Sequence, residues 1–435
     1  MSRRKFLGTT AAAAVVAGTM TKGKVFGANE KIRVACVGIR GRGGSHISAF
    51  TEHPESEVVA LCDADSKILE GVAENFKKVT GKSPRLASDV RELLARDDID
   101  VISIATPNHL HSMIAIWACQ AGKDVYVEKP LSHNVWEGKQ LAAAAKQNNR
   151  VVQHGTQNRS SGRWLRDIKL MQEGCIGDLH TGRALGYKNG NRGSLGFAED
   201  TTPPPNLDWN LWQGPAEERP YNPLYHPYNW HWFWHYGNGE IGNQGVHQMD
   251  VGVWGMNKGL PVKVYSTGGR YTYDDQGETP NTNTACFTYA DGTELIFDVR
   301  NRFTNSEGGG MVNGEFKEGV RVGNLFYGSE GYYVEGIGFF DKGDKFMEID
   351  GEEPASNGPF GNFIKAVKSR KPEDNFADAE KGHLSCVHCH LANIAYRMGR
   401  SLEFDPATET FVKDDEANAM LKRTYREGFE VPELV

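Results

Sequence analysis

The stretch Ile32-Arg33-Val34-Ala35-Cys36-Val37 runs without a break into Gly38-Ile39-Arg40-Gly41-Arg42-Gly43-Gly44, and a helical pattern follows through His46 and Phe50. A near-continuous apolar run suits a strand covered on both faces, the habit of parallel sheets. The glycines suit a tight turn that lets an anion approach a helix N-terminus, where free N–H groups and the dipole favour negative charge. Gly38 and Gly43 match the first and third positions of the G-x-G-x-x-G pattern, while Arg40 holds the second and Gly41 follows it. Asp63, 20 residues after Gly43, ends the next apolar run, where a carboxylate can accept from ribose hydroxyls. Together these features predict a dinucleotide held by Gly38, Ile39, Arg40, Gly41, Arg42, Gly43 and Asp63. Asp63 favours NAD by repelling a 2′-phosphate; Arg40 or Arg42 could offset it and leave NADP open.

Outward from this turn, the runs Glu57–Cys62, Val101–Ala105, Val125–Val127 and Val151–Gln153 alternate with helical stretches. Five strands with helical crossovers make a doubly wound parallel sheet over residues 31–157. Residues 181–260 then change character. Seven of the 18 prolines lie between Pro203 and Pro227, and five of the nine tryptophans between Trp209 and Trp234, so the segment reads as irregular yet too aromatic for disorder. Strand signals return at Val262–Tyr271, at Thr284–Tyr289 joined through Asp291-Gly292 to Glu294–Arg300, and at Gly323–Val334. Residues 158–435 are therefore expected to form an α+β domain with a large, mainly antiparallel open sheet, closed by helices near 360–369 and 379–398.

Two segments follow the third and fourth strands: Thr106-Pro107-Asn108-His109-Leu110-His111 and Glu128-Lys129-Pro130. Ligands bind at the C-terminal ends of parallel strands. A lysine desolvated there has its charged form disfavoured and can take a proton from a substrate hydroxyl. With the Gly-rich turn, the order of these segments resembles the glucose-fructose oxidoreductase / inositol dehydrogenase (Gfo/Idh/MocA) family. The resemblance implies a Rossmann-type NAD(P)-binding fold, with Thr106, Pro107, Asn108, His111, Glu128, Lys129 and Gln157 near the cofactor and Lys129 catalytic. That family carries a later Asp-x-x-x-His pair; here the run Gly239-Glu240-Ile241-Gly242-Asn243-Gln244-Gly245-Val246-His247 keeps the histidine but places Asn243 where the Asp is expected. His247 is then the second catalytic residue, and Asn243, which orients a hydroxyl but takes no proton, a substrate-binding one. Helical i,i+4 spacing would place the two on one face. Gln157 and Arg159 are candidates for sugar hydroxyls, and Trp230, within Tyr228-Asn229-Trp230-His231-Trp232-Phe233-Trp234-His235, for a sugar face.

No metal site is expected: His231 and His235 are i,i+4 but lack a carboxylate at ligand spacing. Cys386-Val387-His388-Cys389-His390 matches the C-x-x-C-H haem pattern, yet Leu384, Val387, Leu391, Ile394 and Met398 form a helical core stripe around it.

The chain has 435 residues, 49 Lys+Arg and 56 Asp+Glu, a net charge of −7. Five of the basic residues (Arg3, Arg4, Lys5, Lys22, Lys24) lie with no acid in residues 1–28, so the remainder carries −12. A body that acidic argues against nucleic acid or anionic membrane as partner. Ser2-Arg3-Arg4-Lys5-Phe6-Leu7 closely matches the twin-arginine (Tat) consensus, and the fifteen uncharged residues Phe6 to Met20 after its basic residues are too short and too weakly apolar for a permanent anchor. Residues 1–28 are thus expected to be a Tat signal cleaved near Gly27 or Ala28, with the Tat translocase as partner during export and the periplasm as destination. NAD(P) is scarce there, so the cofactor is expected to stay tightly bound and to cycle on the protein. The expected function is a periplasmic NAD(P)-dependent oxidoreductase acting on a sugar, cyclitol or glycoside, with NAD-dependent glycosidase or epimerase chemistry, or a non-catalytic sugar-binding protein, as alternatives. The resemblance also implies a homo-oligomer, a dimer or tetramer.

Overall fold

The computed structural model describes residues 30–188, 193–301 and 304–435; the predicted signal, 1–28, lies outside them. The first part alternates β1 (Ile32–Val37), α1 (Arg42–Glu52), β2 (Ser56–Cys62), α2 (Ser66–Thr80), β3 (Arg85–Ala87), α3 (Arg91–Leu94), β4 (Val101–Ile104), α4 (Asn108–Gln120), β5 (Asp124–Val127), α5 (Val135–Gln147) and β6 (Val152–His154). All pairings are parallel, in the order β3-β2-β1-β4-β5-β6. The sequence signals give five of these six strands. The one missed is β3, three residues at the sheet edge with Arg85 and Leu86 exposed, too short and too polar to show a strand pattern. The strand order reverses between β1 and β4, which opens a crevice there at the strand C-termini.

The second part runs α6 (Gly162–Gln172), β7 (Leu179–Tyr187), α7 (Trp209–Gln213), α8 (Val246–Met256), β8 (Lys263–Gly269), β9 (Thr282–Thr288), β10 (Glu294–Arg300), the small hairpin β11 (Gly310–Val312) and β12 (Glu315–Lys317), then β13 (Val322–Gly328), β14 (Gly331–Val334), β15 (Gly338–Asp341), β16 (Phe346–Met347), α9 (Gly358–Ser369), α10 (Ala379–Met398), β17 (Leu402–Asp405) and β18 (Thr410–Phe411). Ten of the strands form one open sheet, β16-β15-β14-β13-β7-β10-β9-β8-β17-β18, antiparallel except for β7 with β10. Strand β7, near the centre of this sheet, falls at the start of the segment read from sequence as irregular. Its Gly182 and Gly186 and polar His180, Thr181 and Arg183 hide the strand pattern. Most of residues 193–245 is irregular as expected, with only short helical turns such as α7 and the turn over Asn229–Trp232.

One sheet face is covered by α8 and α10: Val246, Met249 and Val253 on α8 and Val387, Leu391 and Ile394 on α10 share a buried cluster with Val264, Phe287, Phe297 and Val299. Each such side chain contributes about 1.5–3 kcal/mol on burial. Helix α9 packs instead on the first sheet, where Phe363, Ile364 and Val367 join Ile32, Val34 and Phe50. Arg370 at its end pairs with Asp124 at 2.6 Å. The chain thus returns to clamp the two parts together. Cys386 and Cys389 are buried on α10; His388 bonds Leu384 O and Tyr289 Oη, and His390 bonds Ser132 Oγ, as core residues do. No helix among the described residues is long and apolar enough to cross a membrane.

Candidate active site

The crevice between β1 and β4 continues into a cleft of about 590 Å³ roofed by the Pro- and Trp-rich segment and by α8. At one end lies the Gly-rich turn. Gly38 has φ +75° and a Cβ there would sit 2.7 Å from the Ala105 and Thr106 backbone; at Gly43 a Cβ would sit 1.9 Å from Gly38 O. Gly43 therefore lets α1 pack against its strand, while the spaces beside Gly41 and Gly44 are open. Among the described residues no side chain caps α1; Gly43 N and Gly44 N donate back to Arg40 O and Gly41 O, and the helix start at Gly41 and Arg42 lines the cleft, where its dipole favours an anion. Asp63 is pinned beside the turn, accepting from Ile39 N and Asp65 N at 3.0 Å each; Ile39 itself turns its side chain into the core. Arg40 pairs with Asp65, which also caps α2, and Arg42 pairs with Glu128 at 2.7 Å.

The irregular segment fastens over this end. Ser66 N donates to Asn206 O at 2.8 Å, Asp208 N to Ala64 O at 2.9 Å, and Asn206 Nδ2 to Asp65 Oδ1 at 2.7 Å. His226, Pro227, Tyr228, Trp230 and His231 then line the cleft opposite Gly38 and Asp63. These fixtures, with the glycine cradle and the uncapped helix, fit a dinucleotide lying along the strand ends.

Further along, Thr106, Pro107, Asn108, His111 and Gln157 line the wall. The His111 ring lies 2.8 Å from Thr106 O and 2.7 Å from Pro130 O, which ties the two strand-end loops together. His109 does the same across the molecule, reaching Trp212 O at 2.9 Å and Tyr236 O at 3.3 Å. Glu128 takes Arg42 Nε and, at 3.2 Å, His46 Nε2. Burial opposes its ionisation, but His46, Arg42 and Lys129 outweigh that and hold the carboxyl well below the usual range.

Lys129 Nζ lies 2.6 Å from Asn243 O and 3.3 Å from Asn243 Oδ1. Burial lowers its pKa; Glu128 and Glu240 oppose this, while Lys188 and Arg42 reinforce it. His247 lines the cleft beside it, and burial together with the charge on Lys129 brings its pKa down to about 3, so the ring is neutral at physiological pH. Asn243 and His247 are not on one α-helical face as expected. Residues Ile241–Gly245 form a π-helical turn that opens α8, a wide turn of the kind found at functional sites, and it turns both residues into the cleft.

Trp230 lines the cleft with its ring stacked 3.5 Å from that of His231. Arg159 is a correction: it does not reach the cleft. Its Nε holds both oxygens of Asp250 at 2.9 and 3.0 Å in the core, where Asp250 also accepts from Ser385. The guanidinium is buried over the Trp254 ring, away from the residues that line the cleft. His231 and His235 go to separate partners, Tyr228 O and Glu217. Sequence reasoning missed Asp65, His226 and Phe429 at the cofactor end and Glu240 at the reactive end. Only Glu240 carried a signal, the one carboxylate in the Gly-rich run from Gly239 to His247.

A parallel sheet with a glycine cradle at its switch point, joined to an open antiparallel sheet that brings a helix to the same cleft, defines a two-part dinucleotide-binding fold. Residues 32–156 match the model of the oxidoreductase family's NAD-binding Rossmann fold, and residues 180–431 that of its C-terminal alpha/beta domain. The chain belongs to the Gfo/Idh/MocA oxidoreductase family. It is similar to the Glycosyl hydrolase family 109 protein 1 of Shewanella sp. (strain ANA-3), 32% identical over 160 residues, 36% of this chain and 35% of that one. It is also similar to an Alpha-N-acetylgalactosaminidase of Shewanella oneidensis, 30% identical over 162 residues, again 36% and 35%. The chain thus spans about a third of the length of the curated relatives it matches. Its fold is like that of the WlbA dehydrogenase from Bordetella pertussis in complex with NADH and UDP-GlcNAcA, TM-score 0.64, 21% identity, covering 86% of this chain and 99% of that one. The aldose-aldose oxidoreductase from Caulobacter crescentus is likewise similar, TM-score 0.61, 16% identity, covering 86% and 100%.

Proposed function

We propose that the protein oxidises a carbinol carbon of a sugar, cyclitol or glycoside with a retained NAD, and that a second, carbonyl substrate takes the hydride back and closes the redox cycle. The observation that carries this is the seat of Lys129. Its two contacts on Asn243 use two N–H groups, and the remaining position on Nζ is left to the cleft, where it holds either the third proton or the lone pair. Burial favours the lone pair, so Lys129 is suited to take the proton of a substrate hydroxyl. His247, neutral, donates or accepts a hydrogen bond to the same oxygen but is too weak a base to compete. Bound NAD supplies reversible two-electron transfer at its nicotinamide ring. NAD is favoured over NADP because Arg40 and Arg42, the two side chains that could greet a 2′-phosphate, are paired with Asp65 and Glu128.

Retention of the cofactor is supported by the Asn206–Trp230 segment fastened over the cradle, and export by the Ser2–Leu7 motif with its uncharged sequel. The same proposal includes the periplasm as location and a dimer or tetramer, which light scattering of the exported protein would check. A second reading, a glycosidase that oxidises its substrate transiently, is favoured by the names of the Shewanella relatives. The two separate on a panel of sugars and glycosides in deuterated water. Net oxidation changes the reduced-nicotinamide absorbance and yields a carbonyl; transient oxidation releases free sugar carrying solvent deuterium. Lys129→Ala should abolish either while leaving NAD bound, and retained turnover would remove Lys129 from the chemistry.

A further inference from the structure

We propose that Glu240, paired with Lys188, is a positioning residue that fixes the side-chain amide of Asn243 and, through it, the amine of Lys129. No carboxylate stands at position 243, but one stands three residues earlier, on the turn that precedes the π-helical segment. The Glu240 side chain is fully buried and ion-paired to Lys188 Nζ at 3.3 Å. Its other oxygen faces Asn243 Nδ2 at 3.5 Å. A carboxylate accepts only, and Lys129 turns N–H groups toward Asn243 with or without its third proton, so an amide between them has one satisfactory orientation: Nδ2 to Glu240, Oδ1 to Lys129. The row Lys188, Glu240, Asn243, Lys129 therefore has every polar contact matched in sense, and reversing the amide would break two at once.

The arrangement also divides two tasks that one Asp would combine. Asn243 holds Lys129 without a charge in contact, and Glu240 supplies the charge from behind it. Removing the carboxylate should make Lys129 easier to deprotonate, and removing the Lys188 ammonium should make it harder. The other charged or titratable groups facing Lys129, namely Glu128 on its own loop, Arg42 of α1, His111 of α4 and His247 of α8, are unchanged by either substitution.

This role presupposes the oxidoreductase chemistry proposed above, so the test is one that needs no turnover. The rate at which acetic anhydride labels Lys129 is followed against pH by peptide mass spectrometry, on the full-length protein as purified, for the parent, Glu240→Gln, Glu240→Asp and Lys188→Met. The Lys129 midpoint should fall by about one pH unit in Glu240→Gln, rise in Lys188→Met by a similar amount, and stay near the parent's in Glu240→Asp. A loss of packing alone would not move the two charge variants in opposite directions. Midpoints that stay put, or move the same way, overturn the proposal; if Glu240→Gln does not fold, the direction of the Lys188→Met shift decides. Opposite shifts in a protein that turns over no sugar would refute the proposed function and leave the Glu240 role standing.

Discussion

Lys129 and Asn243, 114 residues apart, meet at 2.6 Å from Nζ to the backbone oxygen. The contact joins the strand-end loop of the nucleotide sheet to the π-helical turn that α8 presents from the second sheet, so the Lys129 amine is seated only when both parts are folded together. Because the partner is an amide and not an acid, the lysine is held without a contacting counter-charge.

Asn243→Asp would add that charge. A carboxylate in contact stabilises the ammonium, so the acid limb of the pH–rate profile should move up by about one pH unit or more and turnover at pH 7 should fall about tenfold. Steady-state rates between pH 5 and 10 check this; an unmoved limb would mean that deprotonation of Lys129 does not control the rate.

Acid should destabilise the fold through histidines buried as neutral rings. Burial lowers His109, His247 and His390 to about 3 and His154 and His388 to about 4. Unfolded, each titrates near 6.5. Below that value the unfolded chain binds protons that the folded chain refuses, so their contribution is complete above pH 6.5 and is lost as pH falls toward 3–4. One such group accounts for about 2 kcal/mol between pH 7 and pH 5. Thermal melts over that interval should show Tm falling steadily with pH; a flat Tm would contradict neutral burial.

The glycine cradle separates two adjacent positions. Gly43→Ala forces a methyl onto Gly38 O and should cost about 1–3 kcal/mol or more as the backbone gives way, with loss of bound nucleotide. Gly44→Ala meets open space and should leave Tm unchanged or slightly raised. Equal melts for the two would show that close packing of α1 is not what position 43 requires.

Much of this was legible in the sequence because the signals were local. The turn from Val37 through Gly44, the Thr-Pro and Glu-Lys-Pro segments and the Asn243–His247 run each carry their chemistry within a few residues, and each lies at the cleft. What escaped was set by distant contacts. Arg159 looks free in sequence, and only the fold brings Asp250 beneath it. Strand β7 is specified by its neighbours β10 and β13 more than by its own glycine-interrupted pattern. The π-helical turn has no signature in residue spacing, so Glu240 was visible as an odd acid but not as a neighbour of Asn243 and Lys188.

Arg159→Met follows from that correction. It would strand the Asp250 carboxylate in the core and should destabilise the protein by about 3–5 kcal/mol, while the KM for any sugar substrate of the folded enzyme stays within about twofold, since the guanidinium does not face the cleft. A large rise in KM with an unchanged Tm would return Arg159 to the substrate site.

The central claim is that NAD lies in this cleft and stays there. The direct measurement is to purify the protein from its native compartment, dialyse it exhaustively without added nucleotide, denature it and identify what is released. Stoichiometric NAD(H) in the supernatant is the predicted result; a folded, dialysed protein that releases no nicotinamide nucleotide and takes none up when NAD is supplied would contradict it.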